Sequence, residues 1–350
     1  MFIFFKIFLN NSYFLFNRFA KQLNKFIMKK TLKNSLVIIL GITFLSITSC
    51  SSDSDSSSNT PDNTITGIAS RTSNLSTLVA ALNKAGLAAT LKGTGLYTVF
   101  APTNDAFDDF LAENGYDNLD AVPVATLKEI LLNHVVSGEN TSSSLSTGYV
   151  KTLSKGSASS TNTLSMFINT ASGVKINGIS NVTAADVDAS NGVVHIVDAV
   201  IGLPTVAAHA KANSNFTTLV SLLNRPGQPN FESVLSNPGT YTVFAPTNDA
   251  FTALNTELEP TGGIAAVSAD NITKILQYHV VSEANVLSSQ LTEGQNITPI
   301  LTPSQTFQVL LSGGAKLKDA SNRQCNIIAT DVQCSNGIIH VLSKVLLPNL

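Results

Sequence analysis

Eleven residues, YTVFAPTNDAF, run from Tyr97 to Phe107 and recur letter for letter from Tyr241 to Phe251, 144 positions further on. Recurrence at a fixed period is a signal of architecture before it is one of chemistry. The similarity extends in both directions. Upstream, Leu75, Leu78, Val79 and Leu82 keep the i, i+3, i+4, i+7 spacing of one apolar helical stripe, as do Phe216, Leu219, Val220 and Leu223. Downstream, LKEILLNHVVSGEN (127–140) matches ITKILQYHVVSEAN (272–285), and DASNGVVHIVDAVIGLP (188–204) matches QCSNGIIHVLSKVLLP (333–348). Each unit is about 145 residues long, which is too long for a solenoid repeat and suits a tandem domain.

The repeated stretch predicts a strand-to-helix corner. YTVF has the β-branched and aromatic content of a strand, and Pro102 or Pro246 ends it by removing a donor. Thr103 or Asn104 then caps a helix, Asp105 complements its positive end, and Phe107 returns to the core. Thr247, Asn248, Asp249 and Phe251 repeat the arrangement. So many simultaneous demands mark a scaffold corner, not an active site. The Asn191-Gly192 and Asn336-Gly337 pairs predict tight turns between strands.

TVFAPTNDAF, the Tyr-His motif and the NGVVHIVDAVIGLP and NGIIHVLSKVLLP segments together resemble the fasciclin (FAS1) domain family, twice over, across residues 64–350. The resemblance implies an α+β fold in each unit, a β-sandwich-like core with helices packed on one side. It also implies adhesion or binding instead of catalysis. Domain 1 is expected over 64–204 and domain 2 over 205–350.

The N-terminus reads as an address. Residues 1–27 hold eight of the eighteen Phe and read as a mis-called upstream extension; the rival reading is a membrane segment, interrupted by Lys6, Arg18 and Lys21. From Met28, a basic n-region and the apolar run LVIILGITFLSI predict a signal peptide over 28–49. Its end, Ile47-Thr48-Ser49-Cys50, resembles the lipobox of bacterial lipoproteins and implies lipidation of Cys50. Acyl chains contribute roughly 0.8 kcal/mol per buried methylene, so several of them anchor a protein stably. The alternative is an ordinary signal peptide with a chance Cys. The following SSDSDSSSNTPDN lies in a flexible tether over 50–63, and its Ser/Asp pattern is similar to surface-export signals of Bacteroidetes lipoproteins.

A net charge of −2 with no basic run argues against nucleic acid. Four of the five His are paired across the repeat, His134 with His279 and His195 with His340. Each sits in a strand-like run and is expected to tie strands together by hydrogen bonds. No HxH, HExxH or neighbouring Cys set completes a zinc site, so no metal or cofactor is assigned. His209 has no counterpart and is expected at the surface of an inter-domain helix. No GxSxG elbow is present, and Asp108-Asp109 are adjacent on a helix and do not face each other.

The family resemblance supplies candidate partner-binding residues: Asp186-Val187 and Asp331-Val332 ahead of the Asn-Gly turns, and Tyr278-His279, whose counterpart Asn133-His134 loses the aromatic. The competing reading is that these Asp residues only fix a turn. Cys325 and Cys334 are a possible disulfide, although an extended NIIATDV between them would part the thiols by about 30 Å unless the strand bends. The expected protein is a non-catalytic outer-membrane lipoprotein, surface-exposed or facing inward. Its expected partner is an extracellular or envelope protein or glycan. Two alternatives stand beside this: a carrier of a small hydrophobic ligand or pigment, and a metal-dependent hydrolase.

Overall fold

The computed structural model describes residues 61–350. The expected upstream extension, the signal peptide, Cys50 and nearly all of the tether lie outside the described residues. In the first half, α1 (Ile65–Arg71), α2 (Ser76–Lys84) and α3 (Ala88–Lys92) precede β1 (Tyr97–Pro102), α4 (Asn104–Glu113) and α5 (Val124–Asn133). There follow β2 (Val135–Ser137), β3 (Gly148–Lys151), β4 (Ser165–Asn169), β5 (Lys175–Ile176), β6 (Ser180–Ala189) and β7 (Gly192–Val197). The second half repeats the plan, beginning with α6 (Val206–Ala212), α7 (Thr217–Leu223), α8 (Phe231–Ser236) and β8 (Tyr241–Pro246). It continues through α9 (Asn248–Leu258), α10 (Gly263–Ala266), α11 (Ala269–Tyr278) and β9 (Val280–Ser282). The last strands are β10 (Asn296–Ile297), β11 (Phe307–Leu310), β12 (Lys316–Lys318), β13 (Gln324–Cys334) and β14 (Gly337–Leu342).

Each half builds one seven-stranded sheet, in the order β2-β1-β7-β6-β5-β4-β3 and its repeat. Among the described strands only β1–β7 and β8–β14 pair in parallel. The long strand β6 slips register twice between Val182 and Val187, and β13 does so between Ile327 and Val332. Such bulges bend a strand and increase its twist. The bend folds the sheet over itself until its two ends meet at an isolated bridge between Val136 and Thr152. The result is an α+β domain with a sandwich-like core.

Strand alternation then sorts the side chains into two apolar layers. Val99 and Ala101 face the helices, whereas Phe100 points into the sandwich with Met166, Ile168 and Val197. Val243, Ala245 and Phe244 divide in the same way. The predicted stripes hold, with Leu75, Leu78 and Leu82 buried in one domain and Phe216, Leu219 and Leu223 in the other.

The repeated corner works as two caps. Thr103 and Thr247 accept from the amides of Ala106 and Ala250 and so cap their own helices. Asn104 instead serves another helix, accepting from Thr77 N at 2.9 Å and donating to Ser73 O at 3.1 Å. Asn248 does the same for Thr218 N and Ser214 O. Asp105 and Asp249 lie in the first turn of each helix, where a negative charge meets the positive end.

The Asn-Gly pairs do more than turn the chain. Asn191 is buried, accepts from Ile65 N at 2.9 Å and donates to Leu91 O and Gly93 O. Asn336 repeats this with Val206 N, Leu235 O and Asn237 O. Each thus ties the first helix of its domain and the segment before the central strand to the strand turn. A Cβ on Gly192 or Gly337 would lie 1.9 or 2.2 Å from the carbonyl oxygen of Tyr97 or Tyr241, so only glycine fits.

Candidate functional site

The bulges of β6 and β13 are the irregular feature of each domain. At their turning points Asp186 and Asp331 adopt left-handed backbone, both with φ of 60°. That conformation is costly for most residues and easiest for Asn, Asp and Gly. Each aspartate offsets the cost with a clasp. Asp186 accepts from Ser142 N at 2.7 Å and from the Ser142 hydroxyl, and Asp331 accepts from Ser288 N at 2.8 Å and from the Ser288 hydroxyl. The Ser142 hydroxyl and amide hold Asp186 below the usual carboxylate range.

Behind the first clasp stands His195, fully buried in the sandwich against Phe100 with ring centroids 5.4 Å apart. Its Nδ1 accepts from Asp186 N at 3.2 Å, so Nε2 carries the proton and donates to Asn140 O at 2.9 Å. Asn140 N in turn donates to the hydroxyl of Thr98, and that hydroxyl donates to Gly138 O. Thr98 and Thr242 are thus the repeated stretch's contribution to this region, because both hold the loop that presents the clasping serine. His340 donates to Val286 O at 2.8 Å, but its Nδ1 has no hydrogen-bond partner.

His134 and His279 do not lie in strands. They end helices α5 and α11. Ile201 N donates to Nε2 of His134 at 2.8 Å, leaving its Nδ1 proton for Ile130 O. His279 repeats the bridge between Leu346 N and Ile275 O. Burial pushes both rings down to about 4, so they are neutral cross-links.

Several expected contacts need correction. Tyr278 and His279 are buried, as is Val332, so none of the three can touch a partner. The Tyr278 hydroxyl donates to Thr306 O at 2.7 Å and accepts from Ala320 N, while its ring packs on Phe307. Cys325 and Cys334 are free thiols: the first lies in the sandwich layer and the second in the helical layer, on opposite sides of the sheet. His209 is buried, not at the surface. Among the described residues no three His, Cys, Asp or Glu side chains come together as a metal-binding group. A cavity in the helical core of domain 1, lined by Leu78, Leu82, Val99 and His134 among others, has a volume of about 10 Å³, room for one water and not for a pigment.

The two bulges differ in what covers them. In domain 1, residues 183–186, Asp188 and Ser190 are exposed, and Val187 is half-buried. In domain 2 the matching Ile328, Ala329 and Thr330 are exposed as well, but Asp331, Gln333 and Ser335 lie against domain 1. Lys151 of β3 donates to Asp331 O at 2.8 Å, and Gln333, fully buried, donates from its amide to the Ser165 hydroxyl at 3.0 Å. Ser335 O accepts from Ala158 N and from the Ser157 hydroxyl. The loop making those last contacts is held by Glu129, whose carboxylate accepts from Ser154, Lys155 N and Gly156 N. Ser142, Lys151 and Glu129 were not singled out from sequence. The partners just named lie 25 to 180 residues away, and no local pattern marks them.

Comparison with known proteins places this geometry in a family. The fasciclin domain model matches residues 73–204 and 214–348. Protein sll1483 of Synechocystis is 41% identical over 148 residues, covering 41% of this chain and 73% of that protein. The fasciclin-like arabinogalactan protein of Arthroderma benhamiae is 26% identical, covering 72% of this chain and 58% of its own length. The transforming growth factor-beta-induced protein ig-h3 of Sus scrofa is 29% identical over 79% of this chain, which spans only 36% of that protein. A solved FAS1 domain pair from the insect cell adhesion molecule Fasciclin I aligns with 77% of this chain and 92% of its own at a TM-score of 0.45 and 22% identity. With the family model matched in both halves, the chain belongs to the fasciclin domain family and carries two FAS1 domains in tandem.

Proposed function

We propose that this chain is an envelope-anchored adhesion protein that binds an extracellular or envelope protein or glycan through the exposed β6 bulge of domain 1. Fasciclin domains are associated with cell adhesion and with binding of extracellular partners. The observation that carries the reading is the strip from Thr183 to Asp188, exposed on a rigid, clasped bulge while its counterpart in domain 2 is partly covered by domain 1. A fixed surface loses little entropy on binding. Its chemistry is polar and weakly acidic: Thr183, Asp186 and Asp188 stand beside a hydroxyl-rich loop in which Ser143 and Ser144 are exposed, which suits hydrogen-bonding partners.

Lipidation at Cys50 would hold many copies at the outer membrane, and crowding raises the avidity of weak single contacts. No catalytic role is assigned. The test is retention of the cell's own envelope proteins or of members of a glycan panel by the immobilised full chain. Saturable binding that Ala185→Arg abolishes supports the reading, and absence of binding to both contradicts it. Cys50→Ala tests the anchor separately, since it should move the protein from the membrane to the soluble fraction.

A further inference from the structure

Helix α6 carries His209 into the joint between the domains. The imidazole is fully buried against Tyr149 of β3, with ring centroids 5.5 Å apart and planes crossing at 73°. The Tyr149 hydroxyl accepts from Asn213, just beyond the end of α6, at 3.2 Å. Two residues along β3, Lys151 crosses the joint to Asp331 O. Neither ring nitrogen of His209 has a hydrogen-bond partner, and the backbone of Ser165 lies beside the ring without reaching bonding geometry. The other four histidines each use at least one ring nitrogen. A buried polar group left unpaired at an interface is costly, so its place there calls for a reason.

The groups around it give one. Domain 1 supplies the Tyr149 hydroxyl and the Lys151 ammonium from β3. Domain 2 supplies Cys334 and Asp331 from β13, and the Asp331 carboxylate is already occupied by Ser288. On α6 itself Lys211 is paired with Glu232 of α8. None of these carboxylates is placed to receive an imidazolium, and Lys151 repels one.

We infer that the α6–β3 joint is a proton-operated latch: protonation of His209 parts the two domains while each remains folded. In the closed joint, burial, with Lys151 adding to it, holds the ring neutral down to about 4, whereas a solvated His titrates near 6.5. The open form therefore binds the extra proton, so the joint is fully closed above pH 6.5 and loosens as pH falls toward 4. Between neutral pH and pH 5 the linkage makes opening about 30-fold more favourable.

Amide hydrogen exchange on the full chain tests this, with rates corrected for their intrinsic pH dependence. The Ala158 and Gln333 amides bond across the joint, whereas Val194 and Ile339 sit in the parallel ladders of the domain cores. From pH 7.5 to 5.0, exchange at Ala158 and Gln333 should accelerate about 30-fold. His209→Phe should remove that acceleration and leave the pH response of Val194 and Ile339 as in the unaltered chain. Should His209→Phe fail to fold, an NMR titration of the unaltered chain with 13C-labelled histidine substitutes for it. The His209 resonance should then move in step with the loss of protection at Ala158 and Gln333. An unchanged acid response in His209→Phe, or a His209 that titrates without loosening those amides, would overturn the inference.

Discussion

The two domains share a skeleton of hydrogen bonds and differ in what surrounds it. Thr98 and Thr242, Asn104 and Asn248, Asn191 and Asn336, His134 and His279 make the same bonds in each copy. At the periphery the copies part. Where domain 2 buries Tyr278 on Phe307, domain 1 has Asn133, which donates to Gly202 O and accepts from Thr152. Where domain 1 exposes Asp188, domain 2 buries Gln333 against domain 1. Duplication thus kept the polar cross-links that define the fold. The later part of one copy's bulge, at Asp331, Gln333 and Ser335, seats its neighbour, whereas the matching Asp186, Asp188 and Ser190 of the other stay open to solvent.

The shared skeleton should fail equally in both copies. Gly337→Val drives a side chain into the Tyr241 carbonyl, and an expected loss above about 4 kcal/mol removes the fold of domain 2. A melting profile like that of the unaltered protein would break the comparison at its root. Gly192→Val should do the same to domain 1. Next in size, Asn191→Ala and Asn336→Ala each strand one amide and two carbonyls, costing about 3 kcal/mol by urea denaturation. A large cost in one copy and a small one in the other would show that the cross-links are not equivalent.

Acid should weaken the two cores alike. His134 and His279 are held neutral down to about 4, while the unfolded chain protonates near 6.5. Their contribution is complete above pH 6.5 and falls as pH drops toward 4, by about 2 kcal/mol each at pH 5. Urea denaturation at pH 7.5 and 5.0 measures it, and equal stability at both values would contradict the neutral cross-link. The smallest effect belongs to the caps: Thr103→Ala and Thr247→Ala should each cost about 1 kcal/mol.

The skeleton was largely legible because its signals are local. Strand alternation in YTVF, the apolar stripe from Leu75 to Leu82 and the glycine after each Asn follow from backbone geometry over a few residues. What was not legible joins distant segments. The Ser142–Asp186 clasp spans 44 residues between a loop and the bulge of β6 and follows no short period. Tyr278 ends its helix beside the stripe of Ile272, Ile275 and Leu276, so its burial depends on Phe307 from another strand. His209 sits in VAAHAKA, where small alanines hide which face is covered. The two cysteines, by contrast, sit at an odd spacing that strand alternation sends to opposite faces, and the two bulges of β13, one extra residue each, leave that parity unchanged.

The asymmetry of the two bulges carries the functional reading, and one paired substitution reaches it directly. Asp188→Arg alters the open strip of domain 1, and Thr330→Arg alters an exposed position on the bulge of domain 2. Binding of the full chain to the cell's own envelope fraction should fall at least about tenfold with the first, the loss of roughly 1.4 kcal/mol, and stay unchanged with the second. Equal losses, or a loss confined to Thr330→Arg, would contradict the assignment of binding to domain 1.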